Sequence, residues 1–145
     1  MRRAGFTLIE ILVVLAILAL VTGFAVPRII GSRDRMEMQT AARLVAAALR
    51  STRNIAMTSG NDQALTLDTG VAALLAPAGR AVRLPTDIRP VLFTATREQV
   101  ADTVGRIRFF PDGSSTGGGV RLIQGEQQTD VLVDWLTGRV SIASR

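Results

Sequence analysis

Two places in this 145-residue chain carry residue types and spacings that could do chemistry. Gly113-Ser114-Ser115-Thr116-Gly117 satisfies G-x-S-x-G, the pattern that lifts a serine nucleophile on a tight turn, and with Gly118 it meets half the requirements of a phosphate loop. A serine nucleophile needs a base, yet the chain has no His, Cys or Tyr, and no Lys follows Gly118. The flanking residues also read as strand, turn, strand, not strand, elbow, helix. Asp112-Gly113 and the small residues after it are therefore expected to form a flexible hairpin between Phe109-Phe110 and Val120. Only carboxylates and hydroxyls remain for catalysis, so an enzyme is not expected, and no metal, nucleotide or other cofactor is implied.

Glu10 is the second place. It lies within a long apolar run, Phe6 to Val26, preceded by Arg2, Arg3 and Gly5. As a helix this run reaches roughly 31 Å, about one hydrocarbon core. A carboxylate inside that core costs about 2.5–3.5 kcal/mol on insertion scales, so Glu10 calls for a partner other than lipid.

Three elements must position these residues. The first is a spanning helix over 6–26. The second is an amphipathic continuation over 27–60, in which Met38, Ala41, Ala42, Val45, Ala48, Leu49, Ile55 and Ala56 recur at helical steps. It should end at Ser59-Gly60-Asn61, where glycine can take the left-handed conformation. Pro27 lacks an N–H and crowds the preceding turn, so a bend is expected near Gly23 to Pro27.

The third element, 61–145, is a small antiparallel β domain. Gln63 to Leu67, Ala81 to Leu84, Val91 to Thr94, Arg106 to Phe110, Val120 to Ile123, Asp130 to Trp135 and Arg139 to Ile142 read as short strands bounded by turn residues. Val131, Val133 and Trp135 share one parity and should line a core face. Gly125-Glu126 and Thr137-Gly138 are expected turns. Asp87 to Pro90 and Arg97 to Thr103 read as connectors. The roughly 120 residues after Pro27 suit one domain, and without cysteine no disulfide supports it.

All 17 basic residues are arginines against 12 acids, a formal charge of +5, and they are scattered singly along the chain. A solvated surface explains them without nucleic acid. Charge does not set the membrane orientation either, because Arg28, Arg33, Arg35 and Arg43 follow the apolar run as closely as Arg2 and Arg3 precede it.

Gly5-Phe6-Thr7-Leu8-Ile9-Glu10 resembles the class III signal of type IV pilins and type II secretion pseudopilins. The resemblance implies a leader of residues 1–5, cleavage after Gly5 by a prepilin peptidase, N-methylation of Phe6 by the same enzyme, and pairing of the new amine with a neighbour's Glu10. A proline near Pro27 is also a feature that pilin-like subunits share. An ordinary secretory signal with Gly23-Phe24-Ala25 as cleavage site competes with this reading, but gains nothing from an acid at the head of its apolar core. A plain signal anchor is the third reading.

Phe109-Phe110-Pro111-Asp112-Gly113 through Gly118, Val120-Arg121-Leu122, and Val133-Asp134-Trp135-Leu136-Thr137-Gly138-Arg139-Val140 resemble the C-terminal domain of H-type minor pseudopilins, the GspH/FimT family. That resemblance implies an α+β, type IV pilin-like fold held in the bacterial inner membrane by one pass, with the β domain in the periplasm. The partners it implies are the major pseudopilin, the minor tip subunits, the inner-membrane assembly platform and, before assembly, lipid. Its function would be to link the tip complex to the shaft of a periplasmic filament that exports folded proteins. The alternative is a FimT-like minor pilin that binds DNA for uptake. DNA binders of that kind resemble one another in a terminal Gly-Arg-x-Arg; here Gly138-Arg139-Val140-Ser141 keeps Arg139 and puts serine at the second position.

Overall fold

The computed structural model describes residues 7–79, 81–95 and 98–144, with the backbone alone for 22–33, 78 and 144. The chain divides into two compact units, Met1–Arg35 and Met36–Arg145. One helix, α1, is assigned over Leu8–Ser59.

In the first unit α1 starts where the Thr7 carbonyl accepts from the amides of Glu10 and Ile11 at 3.1 and 3.3 Å. The large apolar side chains from Leu8 to Val21 are all exposed, Leu8 by 78% and Leu20 by 60%. Apart from Glu10 the side chains of this stretch are apolar around the helix, and its own unit leaves them uncovered. Among the described residues no helix is long and apolar enough to cross a membrane. The described apolar side chains reach only Val21, about 21 Å of helix rise, and the rest of the 6–26 run lies outside them. The side chains around the expected bend at Gly23 to Pro27 lie outside the described residues as well.

In the second unit α1 buries one face. Met38, Ala41, Ala42, Val45, Ala46, Leu49, Thr52 and Ala56 are 2% exposed or less. Ala46 and Thr52 take places on this face that the sequence pattern gave to Ala48 and Ile55, which are only half-buried. The helix ends at Ser59, where Gly60 turns left-handed at φ +66° and its amide donates to the Ala56 carbonyl at 3.1 Å.

Eight strands follow: β1 (Gln63–Asp68), β2 (Ala73–Leu75), β3 (Ala81–Arg83), β4 (Arg89–Phe93), β5 (Val104–Phe109), β6 (Gly118–Gln124), β7 (Gln127–Val133) and β8 (Val140–Ser144). They form two antiparallel four-stranded sheets, ordered β3-β2-β1-β5 and β4-β6-β7-β8. The buried helix face shares one core with Leu65, Leu67, Ile107 and Phe109 of the first sheet and Val120, Leu122, Val131 and Val133 of the second. At roughly 1.5–3 kcal/mol for each large apolar side chain removed from water, this core is the main force joining helix and sheets.

Three expectations are corrected. The hairpin after Phe109 is shorter than expected: the chain folds back around Asp112-Gly113, with Phe109 bridging Ser115 and the Phe110 amide donating to the Ser114 carbonyl at 3.0 Å, but it does not run on to Val120, because β5 pairs with β1 while β6 pairs with β4 and β7 and the chain crosses between sheets there. Pro90 lies inside β4, not in a connector; β4 is an edge strand, where a residue with no N–H to donate is tolerated. Trp135 does not continue the buried parity of Val131 and Val133: β7 stops at Val133, the chain turns at Asp134, and Trp135 is 66% exposed. β2 had no counterpart among the expected strands, being three residues long.

The two sheets meet along β4 and β5 without a ladder. The Thr94 hydroxyl donates to the Arg106 carbonyl at 2.7 Å, and Gly105 lies so close to Leu92 Cδ2 that a Cβ there would collide with it. Beside this seam the nearly buried Glu98 accepts from Arg108 Nε at 2.9 Å, and the bond raises the Arg108 guanidinium above its ordinary value. On the second sheet Arg121 and Asp130, opposite each other on β6 and β7, form a two-bond pair at 2.7 and 2.9 Å.

Candidate functional site

The loop joining β7 to β8 folds tightly on itself. The Asp134 carboxylate accepts from the Thr137 amide at 2.8 Å and from its hydroxyl at 2.7 Å, while Gly138, at φ +60°, donates its amide to the Asp134 carbonyl at 2.9 Å. The Thr137 bonds favour the charged carboxylate and hold Asp134 below the ordinary carboxylate range. Asp112 does the same in the β5–β6 loop, accepting from the Ser114 hydroxyl at 2.6 Å and amide at 2.9 Å, and is lowered by that hydroxyl first.

Ser115 joins these two loops. Its amide donates to the Trp135 carbonyl at 2.8 Å, its hydroxyl donates to the Asp134 carbonyl at 3.1 Å, and the same oxygen accepts from the Gly117 amide at 3.0 Å. The serine of the G-x-S-x-G pattern is 6% exposed and acts as a stitch between backbones.

The helix adds the third side of this corner. Arg53 Nε donates to the Gly113 carbonyl at 2.9 Å, and Arg50 Nη2 donates to the Val140 carbonyl at 3.2 Å. Arg50, Arg53, Asn54, Thr137 and Arg139 line a cavity of about 570 Å³, so three arginines share one concavity. In the same loop, just before Thr137, Trp135 and Leu136 are 66% and 63% exposed.

Of the residues singled out in the sequence, Arg139 falls in this corner and Glu10 does not. Glu10 is exposed in the first turn of α1, within the first unit. Gly5 and Phe6 lie outside the described residues, as does the side chain of Pro27. Sequence reading missed Arg50, Arg53 and Asn54. The step from Arg50 to Arg53 placed both off the apolar face of one helix, but nothing local tied them to Arg139.

Residues 1–26 match the prokaryotic N-terminal methylation motif, and residues 41–137 match the type II transport protein GspH. The type II secretion system protein H of Xanthomonas campestris pv. campestris is 36% identical over 137 residues, which cover 94% of this chain and 80% of that one. In fold, the minor pseudopilin EpsH from the type 2 secretion system of Vibrio cholerae superposes with a TM-score of 0.57 at 13% identity, covering 74% of this chain and 97% of that one. The type IV minor pilin FimU of Pseudomonas aeruginosa gives 0.58 at 15%, covering 76% and 90%. These two likenesses establish a type IV pilin-like fold. The match over 41–137 takes in the last part of α1 and most of both stitched loops, and with the identity to a protein H it shows that the chain belongs to the GspH family of type II transport proteins.

Proposed function

We propose that this GspH-type minor pseudopilin of type II secretion links the tip complex to the major pseudopilin shaft of a periplasmic filament that moves folded proteins through the outer membrane. The observation that carries the reading is the match to the GspH family over 41–137, which runs from the buried helix face through both sheets. The work is structural. The apolar surface of α1 from Leu8 to Val21 is left uncovered by its own unit and is suited first to lipid and then to neighbouring helices in the filament.

On this reading a prepilin peptidase and methyltransferase cuts after Gly5 and methylates Phe6, and Glu10 pairs with the amine of an adjacent subunit as the inner-membrane assembly platform lifts the helix from the bilayer. The chain crosses the inner membrane once and places its β domain in the periplasm. Deleting the gene and restoring it in trans tests the role. Loss of exoprotein export, recovered with the full chain and accompanied by co-purification with other pseudopilins, is the expected result; export that continues unchanged overturns it.

The grouping of Arg139 with Arg50 and Arg53 gives the DNA-binding alternative its one specific support. Ser141, where the second arginine of Gly-Arg-x-Arg would stand, counts against it. Duplex binding by the full chain across a salt series separates the two readings, since phosphate contacts impose a steep dependence on salt that shrinks when Arg139 is replaced by Ala.

A further inference from the structure

We propose that the corner formed by Arg50, Arg53, Arg139, Trp135 and Leu136 is a docking surface for an acidic segment of a neighbouring protein subunit, with one carboxylate entering the arginine-lined cavity and an apolar side chain covering Trp135 and Leu136. The proposal deepens the filament-subunit reading and rests on it only for the presence of a neighbour.

Among the described residues none of the three arginines closes an ion pair within 4 Å, and the ion pairs of the β domain are made instead by Arg106, Arg108 and Arg121. Arg50 and Arg53 each use one donor on a backbone carbonyl, which fixes the stem and leaves other guanidinium N–H groups for a ligand. Planar forks held in place suit a carboxylate, which accepts two parallel bonds from one guanidinium.

Trp135 is exposed on a backbone that is held in place. Its carbonyl is held by the Ser115 amide, and the chain on either side is held by Asp134, Thr137 and Gly138. An aromatic side chain presented on an ordered loop loses little conformational freedom on binding, which is why such residues act as interface anchors. Trp135 and Leu136 directly precede Thr137, which lines the cavity, on the same loop.

A protein segment fits this surface better than a duplex does. DNA offers phosphate charge about every 1.7 Å along its axis, suited to a row of cations, whereas here three arginines converge on one cavity. Asp134 lies close enough to feel the charge of Arg139, and Asp112 is on the adjoining loop, so a run of phosphates would meet carboxylates as well as arginines.

Trp135 is the single tryptophan of the chain, so its emission reports on this surface directly. The full chain in nonionic detergent is titrated with a short acetylated peptide of alternating glutamate and leucine. The controls are the same peptide with lysine for glutamate, sodium phosphate, and a short DNA duplex. The expected result is a saturable blue shift at submillimolar glutamate–leucine peptide and none with the lysine peptide. Arg139→Gln should weaken the response about tenfold, the loss of one charge-assisted bond, and Arg139→Lys should weaken it less. Leu136→Ser, on an exposed side chain, should weaken it without altering the far-ultraviolet dichroism. No shift up to millimolar peptide, an equal shift with the lysine peptide, saturation by phosphate or DNA at lower concentration, or full response in Arg139→Gln overturns the proposal.

A photo-crosslinking residue in place of Leu136, in cells carrying the secretion system, supplies the second readout. An adduct with another subunit should be lost with Arg139→Glu and regained when the crosslinked partner's carboxylate is changed to arginine. Adducts that ignore this charge swap, or that join two copies of this chain, overturn the docking surface. If export is nevertheless supported by the chain, the subunit reading stands without it; a peptide response in a chain dispensable for export leaves the surface and removes the subunit reading.

Discussion

Arg53 and Gly113 lie sixty residues apart in sequence and are joined by a hydrogen bond of 2.9 Å from the helix guanidinium to the loop carbonyl. Gly138 packs onto that same bond. A Cβ on Gly138 would collide with the Gly113 carbonyl oxygen and approach Arg53 Nε to 2.8 Å. The β7–β8 loop can therefore close on the helix only with a glycine at 138, where the backbone also takes φ +60°. The bond from Arg53 to Gly113 ties the β5–β6 loop to the helix, and the Ser115 bonds tie the β7–β8 loop to the β5–β6 loop in turn.

Gly138→Ala should cost about 2–4 kcal/mol, the sum of a left-handed alanine and an overpacked contact. Gly125→Ala is the matched control. Gly125 has φ +57° but nothing within 4 Å of a Cβ, so only the backbone term applies, about 1 kcal/mol. Urea unfolding of the full chain in detergent measures both. Equal losses would show that the approach to Gly113 and Arg53 relaxes at no cost.

The two carboxylates that tie the loops give the stability an acid limb. Asp112 and Asp134 are both held below their ordinary value of 3.8 in the folded chain. A depressed carboxylate contributes stability that is fully present above its unfolded value and is lost as pH falls through the folded one. From these two groups the unfolding midpoint should be flat from pH 7 to about pH 5, and should fall below about pH 4. Asp134→Asn keeps an acceptor for Thr137 and removes the titration, so its curve should be shallower on the acid side. An identical acid limb in Asp134→Asn would remove Asp134 from this role.

Much of the fold was legible because its causes are local. Gly60 ends α1 by a conformation that a single residue type favours, and Gly125-Glu126 turns β6 into β7 with two residues. The helical face was readable from Met38 to Ala56, with Ala46 and Thr52 substituted for Ala48 and Ile55 because the stripe rotates slightly around the helix. The two-sheet arrangement was not readable: β5 and β6 are consecutive and similar in pattern, and only their partners, β1 on one side and β4 and β7 on the other, separate them. Trp135 kept the parity of a strand that had already ended. Arg139 was singled out from its motif, whereas Arg50 and Arg53 join it through contacts between distant parts of the chain that no local pattern encodes.

Processing is the next expectation. The class III reading of Gly5-Phe6, with the methylation motif matched over residues 1–26, requires a mature chain that begins at N-methylated Phe6 and keeps its apolar helix. Mass spectrometry of the N-terminus in the native host settles this. A mature chain starting at Val26 would instead identify a secretory signal that leaves no membrane helix.

Glu10 separates insertion from assembly. It is the one acid among the exposed apolar side chains from Leu8 to Val21, and removing a carboxylate from such a segment lowers its cost in lipid by about 2.5–3.5 kcal/mol. Glu10→Ala should therefore enter the membrane at least as well as the parent. The same change takes away the group that would pair with a neighbour's terminal amine, and an acid in a low-dielectric surround is the stronger partner for that amine. Filament recovery and exoprotein export should fall even though the variant is present at parental levels in the inner membrane fraction. Glu10→Gln, which keeps the size and hydrogen-bonding capacity but not the charge, should behave like Glu10→Ala if charge pairing sets the register. Parental assembly in both variants would mean that the helix packs into the filament without this acid.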